Sequence, residues 1–130
     1  MSVFSRFTDI INANINSLVL KITYNKNNVL LTGDLSIEGQ DYLIANYKNS
    51  ELEATLMSAP HHGDDSYLPF AKIVKPRIVV ASSLHGAEKP ARKAVDVFSM
   101  VGSKVYATTW EGTITIVMDG TNYNVMRKKN

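Results

Sequence analysis

Val29-Leu-Leu-Thr-Gly-Asp-Leu35 is an apolar run that stops abruptly at Gly33-Asp34, and Ala59-Pro-His-His-Gly63 answers it later in the chain. The first stretch puts a carboxylate at the end of a buried strand. The second puts two adjacent imidazoles in a loop bracketed by Pro60 and Gly63. Divalent ions are held by deprotonated oxygen and nitrogen donors fixed on rigid elements, and strand ends supply such positions. Asp34, His61 and His62 are therefore the candidate metal-ligating and catalytic residues, and the remaining chain reads as the scaffold that brings them together.

Outward from the first stretch, Ser17 to Tyr24 is rich in β-branched and aromatic residues and reads as a strand. Asn25 to Asn28 is a turn, because Asn tolerates the left-handed region, so these segments form a β-hairpin. Ser36 is placed to cap a helix running to about Tyr47, with Ile37, Tyr42, Leu43 and Tyr47 on or near one face. Ala54 to Ser58 is a short strand. The His61 to Ser66 loop and a helix from Tyr67 to Val74 follow, with Asp64 and Asp65 read as solvated acids that cap that helix. Arg77 to Ser82 is a strand apolar enough to be buried on both faces.

A second amphipathic helix runs from Ala91 to about Val101 and stops at Gly102. Lys104 to Thr108 is a strand, Trp110 lies in a turn, and the Asp119-Gly120 turn joins two closing strands. At the start of the chain, Phe4, Phe7, Ile10 and Ile11 fall at helical spacing and predict a short amphipathic helix. Alternating strands and helices predict a single α/β domain over residues 1–130, with a mixed sheet flanked by helices. There are too few helices to cover both sheet faces.

Composition narrows the classes. The 130 residues suit one domain, and a hydrophobic fraction of 45% suffices for a core. Fourteen basic and twelve acidic residues leave a formal charge of +2, too balanced to argue nucleic-acid binding from charge alone. The basic tail Arg127-Lys128-Lys129 reads as a solvated terminus. The absence of Cys excludes disulfides and thiolate zinc sites. It fits a reducing compartment, as does the lack of a signal-peptide core, so a cytoplasmic location is expected. No apolar run approaches the roughly 20 residues of a membrane span.

Taken together, Asn14 to Leu20, Leu30-Leu-Thr-Gly-Asp34, Ala59-Pro-His-His-Gly63 and Val74-Lys-Pro76 resemble the metallo-β-lactamase fold. So do Gly102 to Tyr106, Glu111 to Ile116 and Asp119-Gly120. The similarity runs from about Asn14 to Gly120 and is greatest to the hydrolase-like domains of ComEC-type DNA-uptake proteins. The resemblance implies the C-terminal half of an αββα sandwich, in which Asp34 bridges metal ions and metal-activated water hydrolyses an ester or phosphodiester. It implies zinc or manganese as cofactor, and a site-facing position for Asn16 and Ser17.

Two departures from the pattern bear on activity. The His-x-His-x-Asp-His loop that supplies most of the family's ligands is missing, since His61, His62 and His85 are the only histidines. Lys89 stands where relatives carry a His before Pro90, and an ammonium there is expected to pair with Asp34 in place of a metal. His85 reads as a loop histidine outside the site. Occupancy by zinc or manganese is therefore expected to be weak or absent in this chain.

Two functional classes follow: a metal-dependent hydrolase-like domain, incomplete or inactive by itself, and a non-catalytic structural or interaction half-domain. Leu18 to Leu20, Val29 to Leu31 and Ile78 to Val80 are expected to line a bare sheet face. That face predicts association with a second copy or with the missing N-terminal half. Nucleic acid enters as a partner through the resemblance only.

Overall fold

A computed structural model describes residues 2–4 and 17–129. Strand β1 (Ser2–Phe4) is followed by the hairpin β2 (Val19–Tyr24) and β3 (Asn27–Leu31), turned at Asn25 with φ +50°. Helix α1 (Ile37–Asn46) starts at Ser36, whose hydroxyl accepts from the Gly39 amide, and a one-turn helix α2 (Asn49–Leu52) follows it. Then come β4 (Leu56–Ser58), a 3₁₀ turn over Pro60–Gly63, α3 (Leu68–Val74), β5 (Ile78–Ala81), α4 (Glu88–Ser99) and β6 (Lys104–Ala107). A one-turn helix α5 (Thr108–Glu111) leads into β7 (Thr113–Met118) and β8 (Tyr123–Lys128).

Strands β1 to β6 form one sheet in sequence order. β1, β2 and β3 pair antiparallel, whereas β3 to β6 pair parallel. Each parallel crossover steps to the next strand in the same direction. With right-handed connections, that order puts all the crossover helices on one face. Register confirms the assignment. Lys21, Leu30, Met57, Val79 and Val105 form one cross-strand row, and Leu30, Met57 and Val79 are fully buried. Lys21 belongs to that row because its Nζ reaches past the strand to the Ser50 and Glu51 carbonyls of α2, at 3.2 and 3.0 Å. Desolvation lowers the Lys21 pKa, partly countered by Glu53 and Glu51.

The helices offer small or flat faces to this row. α4 buries Ala91, Ala94 and Phe98, and α3 buries Phe70, Ala71 and Val74. Truncating a fully buried Phe such as Phe70 or Phe98 to Ala costs about 3–5 kcal/mol. The fold is thus mixed α/β, with a mostly parallel sheet flanked by helices.

The opposite row runs Ile22, Val29, Leu56, Ile78 and Lys104. Part of this face lies beneath the β7–β8 hairpin, which spans from β6 to the first hairpin. The Arg127 guanidinium sits 5.6 Å from the Tyr106 ring, while the Gly120 amide donates to Asn27 Oδ1 at 2.8 Å. Ile78 and Tyr106 are buried, but Leu18, Ile22 and Leu31 stay substantially exposed. The bare face therefore includes only alternate residues of the expected segments, since Val19, Leu30 and Val79 point to the helices.

Several sequence expectations are corrected. Residues 2–4 form a strand, not the start of a helix, and Phe4 stacks edge-on with Tyr47 at 4.7 Å; Phe7, Ile10 and Ile11 lie outside the described residues. Trp110 belongs to α5 and not to a turn, and it packs half-buried on the core. Arg127 is paired with Glu111 at 2.7 Å inside β8.

Candidate functional site

The site forms where β3 and β4 part at their C-terminal ends. Their backbone pairing stops at Leu30 and Met57. Beyond it the link passes through side chains: the Thr32 amide donates to Ser58 Oγ at 2.9 Å and Thr32 Oγ1 donates to the Ser58 carbonyl at 2.8 Å. The splayed ends release two loops, Gly33-Asp34 and Pro60 to Gly63. The His61 amide ties them together by donating to the Gly33 carbonyl at 3.0 Å.

The backbone of both loops is left-handed. Gly33 has φ +55°, and a Cβ there would meet Ser17 Oγ at 2.6 Å. Ser17 in turn donates to the Thr32 carbonyl at 3.2 Å, which fixes the end of β3. His61 and His62 occupy φ +51° and +61° in succession, a conformation that costs non-glycine residues free energy and is found where surrounding structure imposes it. The imposing contact is Gly63, with φ +111°, which seats the loop against α4 so closely that a Cβ would lie 2.4 Å from the Pro90 carbonyl oxygen.

This backbone aims the imidazoles apart, with ring centroids 6.1 Å from each other. His62 Nδ1 lies 2.6 Å from the Ser82 carbonyl oxygen, which only accepts, so Nδ1 carries the proton. His62 Nε2 lies 3.3 Å from Asp34 Oδ1. With Nδ1 committed, Nε2 either donates to the carboxylate or turns a bare lone pair toward the same point as the carboxylate oxygen. His61 Nδ1 pairs with Asp65 Oδ2 at 2.8 Å, and its Nε2 makes no hydrogen bond among the described residues. The Asp65 hydrogen bond raises the His61 pKa above 6.5, burial opposes the rise, and the charges of Asp65, Asp34 and Asp64 add to it.

Asp34, His61 and His62 are thus brought to one edge of the sheet. Lys89 is not part of the group: it is exposed in the first turn of α4 and forms no ion pair with Asp34, whose partner is His62. Asp65 and Asp64 do not cap α3, whose N-cap Tyr67 has no side-chain cap. Asp65 orients His61, and the Asp64 carbonyl accepts from Lys93 Nζ. His85 is exposed in the loop before α4, and Asn16 lies outside the described residues.

Sequence reading missed Asp65 as the partner of His61, although the His-x-x-x-Asp spacing within one loop was a usable signal. It also missed the Ser82 carbonyl and the buried amide of Gln40, for which no sequence signal exists. As a donor set the edge is partial. Each imidazole is held through Nδ1 by an oxygen acceptor, the arrangement that orients metal-binding histidines. Yet no group of three or more His, Asp or Glu side chains able to hold a metal ion occurs among the described residues.

The chain is 30% identical over 107 residues to the Escherichia coli (strain K12) protein YcaI, itself uncharacterized; the match covers 79% of this chain and 14% of that protein. The chain accordingly spans a small fraction of the relative's length. No family model and no solved structure matches the chain.

Proposed function

We propose that the chain is a half-domain of metallo-β-lactamase type whose Asp34, His61 and His62 form one side of a hydrolytic metal site, the remaining ligands coming from another polypeptide segment. The observation that carries this reading is the paired restraint of the histidines. The Ser82 carbonyl and the Asp65 carboxylate each occupy an Nδ1, and His62 thereby turns its Nε2 to Asp34. His62 Nε2 and Asp34 Oδ1, 3.3 Å apart, would be this chain's nearest donors to a zinc or manganese ion, with His61 beside them. The ion would supply acidification of a bound water for attack on an ester or phosphodiester. The chain's own part is to fix ring orientation and tautomer, and the strained His61-His62 backbone keeps both rings at the sheet edge.

A second reading, a non-catalytic interaction half-domain of a ComEC-type protein, is favoured by one observation. His62 and Asp34 already pair directly at 3.3 Å, so each has a partner at this edge without an ion. Titration of zinc or manganese into the purified chain, followed through the histidine ring resonances, separates the two. The hydrolytic reading expects saturable binding of one ion that moves the His61 and His62 signals and leaves His85 in place, and that Asp34→Ala abolishes. Absence of saturable binding, or binding that Asp34→Ala and His62→Ala leave unchanged, sinks it.

A further inference from the structure

A cavity lies at the other end of the sheet, where β3, β4 and β5 begin. It has a volume of about 460 Å³ and is lined by Lys26, Asn27, Glu53, Thr55, Lys75 and Arg77, with Thr121 of the closing hairpin at its rim. Three cations thus face one carboxylate. Among the described residues Glu53 has Lys75 as its ion-pair partner, at a loose 3.8 Å. Lys26 and Arg77 are exposed and form no ion pair among the described residues.

The floor of the cavity is built rather than incidental. Asn27 is only 4% exposed, and its Oδ1 is taken by the Gly120 amide at 2.8 Å. Asn27 lines the cavity, and its Nδ2 makes no hydrogen bond among the described residues. Thr55 Oγ1 accepts from the Asn28 amide at 3.1 Å, so its own proton is free to donate. The Arg77 backbone is pinned by its amide to the Thr55 carbonyl at 2.9 Å and by its carbonyl to the Lys104 amide at 2.9 Å, which fixes the root of the guanidinium. The negative end of α3 also reaches this cavity, but the Val74 carbonyl is already paired with the Ala54 amide at 3.1 Å.

An excess of cations over a floor of neutral donors recognises a multivalent oxyanion. Arginine pairs with two phosphate oxygens at once and lysine supplies point charge. We propose that this cavity binds the phosphate group of a small phosphorylated ligand, held by Arg77, Lys26 and Lys75 with Asn27 Nδ2 and the Thr55 hydroxyl donating to the same group. The site stands apart from the Asp34–His62 edge and does not depend on any metal there.

The test is amide chemical-shift titration of the full chain with inorganic phosphate and, in parallel, glycerol phosphate. Saturable shifts confined to residues 26–28, 53–55, 74–77 and 121 are expected, weakening as salt rises. Arg77→Gln is expected to weaken binding at least about tenfold. Glu53→Gln, which removes the opposing charge, is expected to tighten it. Arg92→Gln, a charge change of the same kind near the start of α4, is expected to leave it unchanged. Tighter binding of glycerol phosphate points to a phosphomonoester, and equal binding to free phosphate; either supports an oxyanion site. Shifts spread over all surface lysines without saturation, or equal effects of Arg77→Gln and Arg92→Gln, overturn the proposal. A weaker response of Glu53→Gln also counts against it, because a merely structural role for Glu53 predicts that sign.

Discussion

Gln40 and Asp65 are joined by a buried hydrogen bond: Gln40 Nε2 donates to the Asp65 carbonyl at 2.8 Å from a side chain with no solvent exposure. The same nitrogen reaches the Leu35 carbonyl at 3.3 Å. One amide therefore staples the segment after Asp34 to the segment after His62. Gln40→Leu keeps the volume and strands two carbonyls, at a cost of roughly 1–3 kcal/mol by chemical denaturation. Gln40→Glu is expected to be worse at neutral pH, where a carboxylate would face two carbonyls. Acid should rescue it, since the protonated group donates again. A Gln40→Glu variant as stable at neutral pH as at acid pH would contradict this.

His61 titrates above 6.5 because Asp65 holds its protonated form. A folded-state value raised above the unfolded one means that this contact's stabilisation is complete below 6.5 and fades as pH rises through the folded value. Ring-proton NMR is expected to place the His61 midpoint above 6.5, and Asp65→Asn to lower it. An unchanged midpoint in Asp65→Asn would remove Asp65 as the cause.

Gly63→Ala forces a Cβ to within 2.4 Å of the Pro90 carbonyl oxygen at φ +111°. Relief requires moving the His loop away from α4. The expected loss is at least about 2 kcal/mol, read by thermal unfolding. A second expected sign is broadening or displacement of the His61 and His62 ring signals. Wild-type stability with unchanged ring signals would show that the loop is not seated as described.

Leu18, Ile22 and Leu31 are exposed by 54%, 43% and 39% on the sheet face opposite the crossover helices. Contiguous apolar patches of this kind are uncommon on monomers. Association of two copies through this face is the expected outcome in sedimentation at micromolar concentration, and Ile22→Lys is expected to disperse it. A wild-type monomer would instead leave the face to a segment of another polypeptide.

The strands were legible because β-branched runs broken by Asn, Gly and Pro carry their own boundaries, as at Val19–Tyr24 and Ile78–Ala81. The cap at Ser36 was legible for the same local reason. The meeting of Asp34 and His62 followed from strand order. Contacts decided by the third dimension were not legible. Lys21 in an apolar strand gives no sign of reaching under a helix, and Lys89 pairs with Asp34 in a positional argument but not in space. Likewise the Asp64-Asp65 pair reads as a helix cap until the left-handed backbone of His61 swings Asp65 back to the ring.

The bond between Asn27 and Gly120 spans 93 residues. Because the strands of the large sheet are laid down in chain order, the fold can assemble as a zipper, each helix–strand unit docking on the one before. Such a zipper would ordinarily fray from its last unit. Here the final hairpin returns to the first one, and the Lys26 amide donates to the Gly120 carbonyl at 2.8 Å as well. Opening of the β2–β3 hairpin and fraying of the closing hairpin must therefore break the same latch, which couples a locally wound chain into one cooperative transition.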